Sequence, residues 1–143
     1  MSSDPSPVPR KVLHVTWQRL VDGTDATCPR CRDTETHLDD AVAFLRPLLA
    51  GQGIEILLQK KRIPPLFFKR HPLASNVISI EGKHLESWLQ AETGRSPCCD
   101  ICGDNECRTL TLEGKTCEAV PVDLIVRGIL KAVETIFGVK TGT

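Results

Sequence analysis

Apolar and polar residues alternate from Lys11 to Leu20, with Leu13, Val15 and Trp17 set against Val12, His14 and Thr16. A period of two predicts a strand with at least one buried face. Asp22-Gly23-Thr24-Asp25 breaks that pattern. Cys28-Pro29 then reads as a helix start, because proline at the first helical position gives up an N–H that would have no partner there. Leu38, Ala41, Val42, Leu45, Leu48 and Leu49 follow at spacings of three and four and predict one core-facing stripe, ended by Gly51 and Gly53. Pro47 lies inside this helix and predicts a kink, since it removes a backbone bond and crowds the preceding turn. Ile54 to Lys61 reads as a second strand, its Ile54-Glu55-Ile56-Leu57-Leu58 run apolar enough for the interior of a sheet. Strand, helix and strand make one βαβ unit.

Ile63 to Ser75 holds three prolines and the adjacent Phe67 and Phe68, which predicts a loop with one helical turn over the core. Val77 to Ile80 is a short strand turning at Glu81-Gly82-Lys83, and Leu85, Trp88 and Leu89 suit a short amphipathic helix. A cysteine-rich stretch then reads as a loop. Beyond it, Arg108 to Leu112 and Thr116 to Val120 flank Glu113-Gly114-Lys115 as a hairpin, and Val122 to Phe137 is an apolar helix starting behind Pro121. The expected organisation is a flexible leader rich in Ser and Pro over residues 1–10, a single domain over 11–138 with a cysteine-rich insertion at 94–108, and a tail over 139–143.

At 143 residues the chain has the size of one domain able to fold on an apolar core, and 41% hydrophobic with 25% charged residues is ordinary for such a chain. Eighteen basic residues balance eighteen acidic ones. That balance lacks the basic footprint that nucleic acid or an anionic membrane surface would require, so neither is an expected partner. Residues 1–10 lack the apolar stretch of a secretory signal, and no run of about eighteen apolar residues could cross a bilayer. A cytoplasmic location is the expectation. In a reducing compartment paired cysteines more often bind metal or cycle in redox chemistry than staple the fold.

Six of the seven cysteines fall into two clusters about seventy residues apart. The first is Cys28-Pro29-Arg30-Cys31. At a helix start, cysteines three apart can meet, while unpartnered N–H groups and the helix dipole favour negative charge on the first sulfur. Thiols in such pairs have pKa values of about 3.5 to 7.5, against about 8.5 for a free cysteine. The expected roles are Cys28 as exposed nucleophile and Cys31, one turn deeper, as resolving thiol. The position after a strand, opening a βαβ unit, suits a thioredoxin-like redox pair. Half of a structural zinc site completed by the second cluster is the alternative.

The second cluster places Cys98, Cys99, Cys102 and Cys107 within ten residues, enough to wrap one tetrahedral zinc ion or to ligate an iron-sulfur cluster. Adjacent Cys98 and Cys99 point in different directions, so Cys99, Cys102 and Cys107 could instead hold a trigonal soft ion such as a metalloid or mercuric ion. A zinc-stapled insertion without turnover is also open. His37 is the histidine nearest a cysteine in sequence, and the four histidines are expected mostly at the surface. Trp17 and Trp88 are expected in the core, and Asp100, Asp104 and Glu106 as solvating residues of the loop.

The combination of Trp17-Gln18-Arg19-Leu20, Cys28-Pro29-Arg30-Cys31, Gly82-Lys83, Leu85-Glu86-Ser87-Trp88-Leu89, the segment Ser96 to Thr109 and Ile125 resembles a family of small prokaryotic proteins, domain of unknown function 2703. The resemblance runs from about Val12 to Phe137. It implies an α/β, thioredoxin-like fold: a mixed sheet of about four to five strands flanked by helices, with an inserted cysteine-rich loop. No established activity comes with it. Thioredoxin-like proteins usually carry a cis-proline before the strand facing the cysteine pair, where it helps to keep metals off the thiols. Here Ser75-Asn76 stand before Val77, which favours metal at Cys28 and Cys31. Cys117 replaces an aromatic residue of similar sequences and is expected as a small buried hydrophobe.

These features lead to a thiol-redox protein in which Cys28 and Cys31 exchange disulfides or share a soft metal, with Cys98, Cys99, Cys102 and Cys107 as relay or metal ligands. The partner is then a protein disulfide or a soft metal ion. The alternative is a non-catalytic metal or metalloid carrier for delivery or detoxification, with zinc, an iron-sulfur cluster, arsenic or mercury as cargo.

Overall fold

The computed structural model describes residues 11–20, 29–64, 70, 72–97 and 106–139. Strand β1 (Lys11–Leu20), helix α1 (Pro29–Ala50) and strand β2 (Ile54–Ile63) form the βαβ unit, with β1 and β2 parallel. A single 3-10 turn, Pro72–Ala74, leads to β3 (Val77–Ile80) and β4 (Lys83–His84). The sheet order is β2-β1-β3-β4, with β3 antiparallel to both β1 and β4. Helix α2 (Leu85–Leu89) then connects to a second, antiparallel sheet of β5 (Glu92–Pro97), β6 (Glu106–Leu112) and β7 (Lys115–Cys117), before helix α3 (Val122–Phe137). The protein is thus a mixed α/β structure with a four-stranded mixed sheet and, among the described residues, three α-helices.

The alternation in β1 does what its period predicts. Leu13, Val15 and Trp17 are fully buried, and they share one face with Ile56, Ile80 and Ile78 opposite them in register. On that face α1 packs against β2, α3 against β3, and the two helices against each other. Leu38, Ala41, Val42, Leu45 and Leu49 form the buried stripe of α1, and Leu124, Ile125, Ile129, Ala132 and Val133 that of α3. Fully burying one such aliphatic side chain stabilises the fold by about 1.5–3 kcal/mol. Gly128 brings α3 close to α2, because a Cβ built there would lie 2.2 Å from Leu85 Cδ1.

Three sequence expectations change. Leu48 was expected in the stripe but is 55% exposed, since a helix face wide enough to hold Leu45 and Leu49 turns position 48 outward. Helix α1 continues through Pro47, which stands in its last turn. Strand β2 lies at the sheet edge, not in its interior, with Leu57 exposed. The stretch around the second cysteine cluster is not wholly a loop: β5 and β6 flank residues 98–105, and β7 ends at Cys117 instead of reaching Val120.

Two hairpins turn through residue pairs with positive φ, Glu81-Gly82 (51° and 78°) and Glu113-Gly114 (53° and 80°), the backbone that a tight antiparallel connection with the native twist requires. Glu81 tolerates it with help from β1: the Glu81 N–H donates to His14 O at 2.8 Å, and the His14 N–H donates to Glu81 Oε2 at 2.7 Å. On the helical face, Lys60 of β2 reaches Glu35 and Asp39 of α1, at 2.9 Å each. Partial burial lowers the Lys60 pKa, but hydrogen bonds to Asp39 and Glu35 and their charges outweigh it and raise the pKa above 10.5.

Candidate functional site

Helix α1 opens at Pro29, so Cys28 is the residue directly before it in the chain and Cys31 falls in its first turn. Cys28, Cys98, Cys99 and Cys102 lie outside the described residues. Cys107 is described as backbone only, in β6 opposite Ser96. Cys31 is 2% exposed and belongs to the main hydrophobic core. Its Sγ lies 3.6 Å from Ser75 Oγ. The Leu20 N–H, at the end of β1, donates to the same hydroxyl oxygen at 2.9 Å. The second thiol of the pair is therefore seated inside the fold against one fixed hydroxyl.

Asn76 continues the polar strip. Its φ of 64° is left-handed, a conformation that asparagine tolerates better than most residues. Asn76 Oδ1 accepts the indole N–H of Trp17 at 3.0 Å, and its Nδ2 donates to Thr34 Oγ1 at 3.1 Å. Thr34 Oγ1 also accepts the Val120 N–H at 3.1 Å. A buried chain of hydrogen bonds thus runs from β1 through the loop before β3 to the first turns of α1 and on to the segment before α3. His37, one turn after Thr34, bonds Val120 O through Nδ1 at 2.8 Å, so it is engaged in the fold.

The base of the second cluster reaches the same strip. Ser96 faces Cys107 and Pro97 faces Glu106 across β5 and β6, which brackets residues 98–105 between two paired strands. Arg108, next to Cys107, is buried. Its Nε donates to Glu86 Oε2 at 2.6 Å, its Nη1 to Leu73 O at 2.8 Å, and its Nη2 lies 3.2 Å from His84 Nδ1 and 3.4 Å from Thr93 Oγ1. Both side chains of the Arg108–Glu86 pair are 9% exposed. A guanidinium survives such burial only when its donors are taken up, as these are. Gln18 Nε2 adds a bond to Ala74 O at 2.8 Å.

Residues 73–76 are therefore a junction. Leu73 takes Arg108 from the stalk of the second cluster, Ala74 takes Gln18, Ser75 meets Cys31, and Asn76 ties Trp17 to Thr34. The sequence singles out Ser75-Asn76 for the proline they replace and does not mark Thr34, Glu86 or Arg108 as structural partners. A polar residue lodged in an apolar stripe, such as Thr34 one turn before Leu38, was the available signal. Among the described residues, no group of three or more His, Cys, Asp or Glu side chains is placed to hold a metal ion. Cys117, expected to be buried, is half-buried at the wall of a cleft of about 280 Å³ beside Lys115 and Arg127. No helix of the described residues is long and apolar enough to cross a membrane.

The chain matches a protein of Archaeoglobus fulgidus described as "Uncharacterized protein", with 41% identity over 114 residues, covering 79% of this chain and 82% of that one. No solved structure matches it. The family model described as Domain of unknown function (DUF2703) matches residues 13–129, from the third residue of β1 to the middle of α3. On that match the chain belongs to the DUF2703 family.

Proposed function

We propose that this protein is a thioredoxin-like thiol-disulfide exchange protein acting through Cys28 and Cys31. Helix α1 opening at Pro29, with Cys31 buried in its first turn against Ser75, is the observation that carries the reading. The sheet order β2-β1-β3-β4, with a parallel βαβ unit followed by antiparallel strands, supports it. In the exchange, the Cys28 thiolate attacks one sulfur of a substrate disulfide, a mixed disulfide forms, and the other substrate sulfur leaves as a thiolate. Cys31 then attacks the Cys28 sulfur, the mixed disulfide breaks, and the second substrate thiolate departs. Two electrons have passed to the substrate, and Cys28 and Cys31 are left joined. Two thiols of the Cys98, Cys99, Cys102 and Cys107 set return the electrons by the same two attacks and become a disulfide themselves. A protein disulfide is the proposed substrate class.

Reduced protein should reduce the disulfides of insulin, and Cys28→Ser should abolish the reaction. A wild-type protein without reductase activity would end this reading.

A second reading, a non-catalytic metal or metalloid carrier, is favoured by one feature. Ser75-Asn76 occupy the place where thioredoxin-like proteins carry a cis-proline, and among the described residues no peptide bond is cis. Under this reading the six clustered thiols pass a soft ion between them by ligand exchange. Elemental analysis and a visible spectrum of anaerobically purified protein separate the two: near-stoichiometric zinc, iron or another thiophilic element supports the carrier, and metal-free protein after anaerobic reconstitution excludes it.

A further inference from the structure

We infer that β2 is a dimerisation edge: a second copy of the chain adds its own β2 alongside, antiparallel and centred on Leu58, so that one sheet runs through both copies. Among the described residues β2 is the outer strand of its sheet, and it pairs along its whole length with β1 alone. Neither a proline nor a bulge interrupts it. A long regular edge of this kind presents a row of backbone groups to which another strand can bond.

The ladder with β1 fixes which groups face outward. The Lys11 N–H donates to Gly53 O at 3.0 Å, while Lys11 stands opposite Ile54. In a strand the N–H and C=O of one residue point to one side and those of the next residue to the other. Glu55, Leu57, Gln59 and Lys61 therefore turn their backbone groups to β1, and Ile54, Ile56, Leu58, Lys60 and Arg62 turn theirs to the open edge. An antiparallel copy centred on Leu58 sets Leu58 against itself, Ile56 against Lys60 and Ile54 against Arg62, so every outward-facing residue meets another. A slip of two residues, the smallest that keeps each side chain on its own face, leaves one end of the row unpaired.

Charge selects the same arrangement. Glu55 lies in the first half of β2 and Lys61 in the second, both exposed and on the face opposite to the buried Ile54 and Ile56. Centred on Leu58, the pair sets Glu55 of each copy opposite Lys61 of the other, whereas a parallel pair would set Lys61 beside Lys61. The side of α1 above this edge has the same polarity. Glu35 and Asp39 hold the Lys60 ammonium over the helix, away from the edge where it would ward off a strand. Further along, Arg46 and Ala50 line a cleft of about 260 Å³ with the start of β2. A two-fold axis at Leu58 brings Asp39 of one copy toward Arg46 of the other, with the small, exposed Ala43 between them.

The test is sedimentation equilibrium of the full chain over a dilution series, with reductant present so that no disulfide joins the copies. The wild type should dimerise. Glu55→Lys and Lys61→Glu, both exposed changes, should each weaken the dimer about tenfold, because like charges then face each other twice. An equimolar mixture of the two variants should recover the wild-type affinity, since every facing pair is again of opposite sign. Amide exchange at Ile56, Leu58 and Lys60 should slow as concentration rises, while Leu57 and Gln59, bonded to β1, should not respond. A wild type still monomeric at millimolar concentration overturns the assignment and leaves this edge to a strand of another protein. A dimer indifferent to both charge changes, a mixture that does not recover, or a dimer in which the Ile56, Leu58 and Lys60 amides exchange as fast as in the monomer overturns it as well.

Discussion

Arg108 contributes the heaviest single concentration of polar contacts among the described residues near the site, with bonds or close approaches to Glu86, Leu73, His84 and Thr93. Its pairing with Glu86 is buried on both sides. Deleting one member of a buried ion pair leaves the other charge desolvated and uncompensated, at a cost of about 3–5 kcal/mol. Arg108→Met and Glu86→Leu should each lower unfolding stability by about that amount in urea titrations. The double variant should lose distinctly less than the sum, because no charge is then stranded. Strictly additive losses would mean that the pair is not buried as described. Thr93 adds a hydrogen bond to the same carboxylate oxygen of Glu86 at 3.3 Å, so a third polar group depends on the pair.

Helices α2 and α3 meet where Gly128 faces Leu85. Alanine at an interior helical position gains about 1 kcal/mol over glycine in backbone terms. Here the added methyl would lie 2.2 Å from Leu85 Cδ1, and Leu85 is itself buried and has little room to rotate. Overpacking costs about 1–3 kcal/mol. Gly128→Ala should therefore destabilise by about 1 kcal/mol in denaturant titrations, against its helix propensity, and Leu85→Ala combined with it should recover part of the methyl's cost. A stabilised Gly128→Ala would refute the close approach. This element scale also separates what the chain discloses from what it hides. The period of β1, the helix start at Pro29, the glycine turns at 82 and 114 and the apolar helix behind Pro121 are local, and each is legible. Strand β5 was not, because Glu92-Thr93-Gly94-Arg95-Ser96-Pro97 has no apolar alternation and becomes a strand only by pairing with β6. The edge position of β2 was hidden for a similar reason: an apolar run reports burial and does not say which strand stands beside it. The contacts that define the candidate site join residues far apart in sequence, Cys31 with Ser75, Trp17 with Asn76, Arg108 with Leu73, and no local pattern encodes them.

At the scale of the whole molecule, the question is whether the two cysteine clusters are joined by one rigid frame or sit on two separately breathing sheets. Relay of electrons or ions needs the former. The stalk of the second cluster reaches the four-stranded sheet through Arg108 and Leu73, and two residues further on Ser75 holds the N–H of Leu20 at the end of β1. On the other side, Thr34 holds the N–H of Val120. Amide exchange at Leu20 therefore reports on the junction without requiring any ligand, because that N–H donates to Ser75 Oγ and opens to exchange when Ser75 moves away or β1 frays. In Arg108→Met, the bond to Leu73 is lost while every cysteine is retained. If the strip is a single mechanical unit, exchange at Leu20 should accelerate along with β5 and β6, by an amount approaching the global stability loss. The reporter on the far side, Val120, is held by Thr34, to which Asn76 donates, and should accelerate less, since Trp17 still fixes Asn76. Acceleration confined to β5, β6 and β7 would show instead that the second sheet opens independently, and a cysteine relay between the clusters would then require the substrate, and not the fold, to bring them together.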